Sequence, residues 1–124
     1  MISLILIILA AILNAAMDTL NARYRQSVFF TKQFRINKFT NPEFSWQNKW
    51  KNGDRKQGEL FFGSSTFLVW TTDAWHLFKT IMLACYSIAI VTYSPMIHPI
   101  IDALGYWLIF GAVFELFWSK VFLK

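Results

Sequence analysis

Asp73 and His76 stand three residues apart in TTDAWHLFKTIMLACYSIAIVTY, residues 71–93, at the head of a run apolar enough to cross a bilayer. On a helix that spacing puts both side chains on one face. A carboxylate beside an imidazole can hold the ring and relay a proton, or supply two ligands to a divalent cation, as Glu-x-x-His does in helical carboxylate metal sites. Two further acids lie in apolar surroundings, Asp18 in NAAMDTL and Glu115 in VFELFW. A charge facing lipid costs several kcal/mol, so such side chains are expected to be paired, coordinated or wet. Asp18, Asp73, His76 and Glu115 are therefore the candidate ligands for Mg, Mn, Fe or Zn, which would activate water beside lipid headgroups. No residue pattern points to an organic cofactor.

Neighbouring polar residues support the cluster. Asn14, Asp18, Asn21 and Arg25 follow i, i+4, i+7 and i+11, one helical stripe. Asp73, His76, Thr80, Ala84 and Ser87 form a second, and Gly111, Glu115 and Ser119 a third. Membrane helices turn small and polar residues towards one another, so the stripes are expected to share an interior. A plainer arrangement fits the same residues. Asp73, His76, Lys79, Glu115 and Lys120 would then form a hydrogen-bonded knot that fixes the bundle, with Lys79 and Lys120 snorkelling to the surface. In that arrangement Asp18 merely ends the first span and His76 is a satisfied interior histidine.

Three elements must position these groups. Apolar residues make up 56% of the 124-residue chain and charged residues 15%, too few charges to cover a soluble globule of this size. Three stretches are long enough to span a bilayer: about 2–20, 66–93 and 100–122. The first has no basic start and no small-x-small cleavage site, so it reads as a retained helix rather than a signal peptide. Ser64 or Ser65 after Gly63 suits the cap of a long second helix, since no breaker lies between Ser64 and Tyr93; a start at Thr72 is the alternative. Pro99 suits the first turn of the third. The chain is thus expected to be one all-α membrane domain of three transmembrane helices.

Charge sets the orientation. Nine of the twelve Lys and Arg lie from Arg23 to Lys56, with only Glu43 and Asp54 among them. Lys and Arg are retained on the cytoplasmic side and attract anionic headgroups. The chain is expected in the cytoplasmic membrane with its N-terminus outside, residues 23–62 as a basic cytoplasmic segment, and its C-terminus inside. Phe34, Phe39, Phe44, Trp46 and Trp50 are too many aromatics for a disordered linker, so this loop should be partly ordered. Nucleic acid is a poor partner for cations that membrane topology already explains. In that frame Asp102 opens the third helix, where an acid favours the helix dipole.

Other motifs carry little. Cys85 stands alone, so no internal disulfide forms. Gly63-Ser64-Ser65 looks like a phosphate-cradling turn without the lysine of a P-loop. Ser87 and Ser119 lack a nucleophile-elbow context. His98, between prolines in the short outer loop, reads as solvated.

The segments NAAMD at 14–18, NPEFSWQNKWKNGD at 41–54 and TTDAWHLFK at 71–79 resemble a family of small bacterial and phage integral membrane proteins. The likeness covers roughly residues 10–85 and carries no activity with it. It implies that Asp18, Asp73 and His76 belong to one pattern, with Glu115 outside it.

Three functions follow as expectations. The first is an intramembrane divalent-cation site acting on a lipid or headgroup. The second is a non-enzymatic subunit that packs into a larger membrane complex or forms a homo-oligomer. The third is a holin-like lesion former, against which the long structured loop stands.

Overall fold

A computed structural model describes all 124 residues. The chain is an all-α membrane protein, and three of its helices are long and apolar enough to cross a bilayer. Helix α1 covers Ile2–Arg23, α4 Ala74–Val91 and α5 Pro99–Leu116, with two short helices between α1 and α4: α2, Phe34–Thr40, and α3, Pro42–Ser45. At 1.5 Å per residue α1 is about 33 Å long, enough to span the hydrocarbon core.

Helix α1 is the centre of the bundle, packed against both α4 and α5. Its buried face carries the small residues Ala10, Ala11, Ala15, Ala16 and Thr19, together with Ser3, Met17 and Leu20. Small side chains bring helix axes close and let backbones pack. Helix α4 runs antiparallel to α1. Near one end Ser3 Oγ donates to the Ala89 carbonyl at 3.0 Å, and at the other Leu20 and Tyr24 bury against Ala74, Trp75 and Phe78. Helix α5 runs parallel to α1 and continues through a wider π-turn, Phe117–Val121. There the Arg23 guanidinium lies 3.5 Å from the Trp118 ring centroid and donates to the Trp118 carbonyl. The last residues are stitched to the start of the loop, with Lys124 N–H donating to Gln26 O at 2.8 Å and Val28 N–H to Phe122 O at 3.0 Å.

The second long helix begins at Ala74, eight residues after the expected start of the span at about 66. Residues 61–72 instead form turns and one 3-10 turn, Val69–Thr71. Threonine hydroxyls explain the break, because they offer backbone carbonyls a local partner that competes with the helix. Thr71 donates to Leu68 O at 2.8 Å and Thr72 to Val69 O at 2.7 Å. Gly63 adds a left-handed φ of +82°, where a Cβ would sit 2.6 Å from the Phe67 ring.

Residues 24–73 fold over the end of the bundle where α1 finishes and α4 starts. Asn41 caps α3 by accepting from Glu43 N–H at 3.0 Å, with Pro42 in the first turn. Lys51 N–H to Gly58 O at 3.0 Å and Leu60 N–H to Lys49 O at 2.9 Å close a loop whose tip is a turn at Asn52-Gly53, both residues at positive φ. Asn48 ties this cap down. Its Nδ2 donates to Lys38 O at 2.8 Å and to Thr72 O at 2.9 Å.

At the opposite end Asp102 closes the connection between α4 and α5. It accepts from Met96 N–H at 2.8 Å, Ile97 N–H at 3.2 Å and the Tyr93 hydroxyl at 2.9 Å. Desolvation first, then the Asp102 carboxylate, push the Tyr93 hydroxyl up to about 12. His98 is exposed, as expected, and also caps α5, its Nδ1 accepting from Ile100 N–H at 3.3 Å.

Candidate functional site

Asp73 takes an extended backbone conformation directly after the helical Thr72 and caps α4. Its Oδ1 accepts the His76 backbone N–H at 2.9 Å, and its Oδ2 lies 2.7 Å from His76 Nδ1. The i, i+3 spacing makes both bonds compatible: the cap residue reaches the third residue of the helix, whose side chain rises over the same turn. Asp73 is 2% exposed, whereas the His76 side chain is 30% exposed. With Nδ1 engaged, His76 keeps Nε2 without a partner in the chain.

The pair lines a cavity of about 270 Å³, together with Asn21, Pro42, Ser45, Trp46 and Trp75. Its walls come from three places: the end of α1, the start of α4, and α3 with the turn after it. The Trp75 ring stands edge-on to His76, centroids 5.0 Å apart, and Trp75 Nε1 is buried without a hydrogen-bond partner. Ser45 is buried beside the cavity. Ser45, Trp46, Pro42 and Trp75 were not among the residues expected at the site. The one signal in the sequence was Trp46, among the aromatics that made the loop read as ordered.

The four-residue cluster does not form. No three or more His, Cys, Asp or Glu side chains approach closely enough to hold a metal ion. Asp73 and His76 come together, and Asn21 joins their cavity. Glu115 is exposed on α5, and its carboxylate takes the hydroxyl of Ser119 one turn on. Asp18 is exposed on α1 and bonds to nothing in the chain, because α1 buries its alanine stripe and not its Asn14–Asp18 stripe. Lys79 lies over the Trp75 ring, 5.0 Å from its centroid, away from any acid. Arg25 pairs with Glu43 at 3.1 Å. Thr80 is exposed and unbonded through its side chain.

What remains is an oriented imidazole at a small polar cavity. Such a group can take or give a proton at Nε2 while the carboxylate holds its tautomer. It is a poor start for a metal centre, since the carboxylate and Nδ1 are spent on each other.

Gly63-Ser64-Ser65 does cradle an anion, but the chain's own. Gly63 N–H donates to Glu59 Oε2 at 3.1 Å and Ser65 N–H to Oε1 at 3.3 Å, and the Ser65 hydroxyl joins them. The Ser65 hydroxyl first, then the Gly63 amide, hold the Glu59 carboxyl below the ordinary carboxylate range.

No family model, curated protein or solved structure matches the chain.

Proposed function

We propose that this integral membrane protein gathers anionic lipid headgroups at its basic cap and presents the Asp73–His76 pair to them as an acid–base centre. One observation carries the reading. Of the nine Lys and Arg from Arg23 to Lys56, only Arg25 is paired with a carboxylate. Lys32, Arg35, Lys38, Lys49, Lys51, Arg55 and Lys56 stand without an ion pair on one end of a three-span bundle, where each attracts an anionic surface by about 1 kcal/mol. Exposed Phe34, Phe44, Trp46 and Phe62 lie among them, and aromatic rings with apolar bodies settle at that depth. The same charge bias orients the chain in a cytoplasmic membrane with the cap and C-terminus inside and the N-terminus outside. Proton transfer fits the site better than a resident metal, because Asp73 and His76 would bring at most two of the four or more ligands a divalent ion takes.

Thermal unfolding in nanodiscs tests this. A ligand that binds only the folded state raises its stability. The unfolding midpoint should rise as phosphatidylglycerol replaces phosphatidylcholine, and the rise should shrink in 0.5 M salt (about a 4–5 Å screening length). An identical midpoint in both lipids would refute headgroup recognition.

A second reading, a subunit seated in a larger membrane complex, is favoured by Asn14 and Asp18. Both lie on a spanning helix and carry no hydrogen bond through their side chains. Co-purification of a stoichiometric partner that Asn14→Leu releases would support it.

A further inference from the structure

A second, larger cavity opens on the other side of the Trp46–Lys49 turn. It holds about 690 Å³, within the 300–1,000 Å³ typical of ligand pockets. Gln47, Asn48 and Thr72 line it, whereas their chain neighbours Trp46 and Asp73 line the His76 cavity. Two cations reach it, Arg35 and Lys38, three apart on α2 and so on one face. Neither has an ion pair, and no carboxylate lines the cavity. Trp50 forms part of the wall, with Lys49 Nζ and the Arg55 guanidinium 5.8 and 5.9 Å from its ring centroid. The amides of Gln47 and Asn52 complete the polar lining.

Cations without acids select an anion, and a guanidinium with an ammonium suits phosphate oxygens. The neutral amides suit hydroxyls. The rim says where the anion comes from: Phe34 is 77% exposed and Phe61 is 43% exposed, both lining the opening. A free phosphate ester has no use for such a rim, whereas a lipid brings acyl chains to cover it.

We infer that this cavity is a discrete site for one phosphodiester lipid headgroup of the phosphoglycerol type. The phosphate sits against Arg35 and Lys38, the glycerol hydroxyls meet Gln47 and Asn52, and the acyl chains leave past Phe34 and Phe61. This site rests on the headgroup reading above and adds to it a single place and a substrate class.

Native mass spectrometry of protein released from mixed phosphatidylcholine and phosphatidylglycerol nanodiscs tests it. The wild type should retain one phosphatidylglycerol per chain. Arg35→Gln with Lys38→Gln should weaken that retention by about tenfold or more, the ratio that one strong contact sets. Lys120→Gln with Lys124→Gln removes the same charge outside both the cavity and the cap and should leave retention intact. All variants are first matched for unfolding midpoint in pure phosphatidylcholine, so a folding defect is recognised. Equal losses from both pairs would overturn the discrete site while leaving the cap's general attraction standing. A wild type that retains no phosphatidylglycerol above its share of the bilayer would overturn both. Soluble glycerol phosphate that raises the midpoint in pure phosphatidylcholine, through Arg35 and Lys38, would overturn the lipid as the source.

Discussion

The Asp73 carboxylate divides its two oxygens between the backbone and the ring of one residue, His76, at 2.9 and 2.7 Å. One bond starts α4; the other fixes which nitrogen of the imidazole is free. Helix initiation and ring orientation are thus a single contact, placed where the polar cap meets the spanning bundle.

Substitutions at Asp73 separate the two roles. Asp73→Asn keeps an oxygen for the His76 N–H but puts an NH₂ against Nδ1, so Nδ1 must accept and the proton moves to Nε2. Stability should change little, and the tautomer should invert in nitrogen NMR. Asp73→Ala loses the cap as well and should cost about 0.5–2 kcal/mol. Any acid–base activity should fall in both variants. If Asp73→Asn left the tautomer unchanged, the carboxylate would not be orienting the ring.

Asn48 bridges Lys38 O and Thr72 O, segments 10 and 24 residues away in the chain. Asn48→Ala leaves two carbonyls without that donor and should cost about 1–3 kcal/mol. Hydrogen exchange should quicken across residues 34–50 and at the start of α4, with the rest of α1 unaffected. Unchanged exchange would mean that the cap is held elsewhere.

The alanine face of α1 predicts a steep steric response. Ala15 is fully buried, so Ala15→Leu adds volume with nowhere to go and should destabilise by about 1–3 kcal/mol. Ile5→Leu, on an exposed part of the same helix, should be neutral within about 0.5 kcal/mol. Equal tolerance at both positions in a detergent unfolding assay would place the helix interface on another face.

Glu59 gives a pH dependence with a defined sign. Its carboxyl is held below its ordinary value of 4.5 by the Ser65 hydroxyl and the Gly63 and Ser65 amides. The folded turn therefore prefers the ionised form. Its contribution is complete above the unfolded value and disappears as pH falls through the lowered folded value. Protection of the Gly63 and Ser65 amides, relative to their intrinsic exchange rates, should fall on acidification below about pH 4.5 in the wild type. In Glu59→Gln that protection should be low and flat with pH. A flat wild-type profile would contradict the anion cradle.

These features were unequally legible in the chain. The three spans, Pro99 at the start of α5 and the Asn52-Gly53 turn follow from hydropathy and local backbone rules, which act within a few residues. So does the meeting of Asp73 with His76. The start of α4 was misplaced because residues 67–70 are apolar and free of Pro, while Thr71 and Thr72 close the preceding turns with their own side chains and Asp73 caps the helix that follows. The expected meeting of Glu115 and Asp18 with that pair failed for a different reason. A stripe on one helix shows that its residues share a face, but not which helix that face meets. Alanines won the contact on α1, leaving Asp18 outside.

The most direct test of the central claim is to map where anionic headgroups touch the chain. Phosphatidylglycerol and phosphatidylcholine carrying the same photoreactive headgroup would be crosslinked to protein in nanodiscs and the adducts located by peptide mass spectrometry. Phosphatidylglycerol adducts should concentrate in residues 32–56 and around Asp73–His76, and should be scarce in the connection at 93–99. Adducts that are spread evenly, match those of phosphatidylcholine, or gather at 93–99 would contradict a cap built to meet anionic lipid.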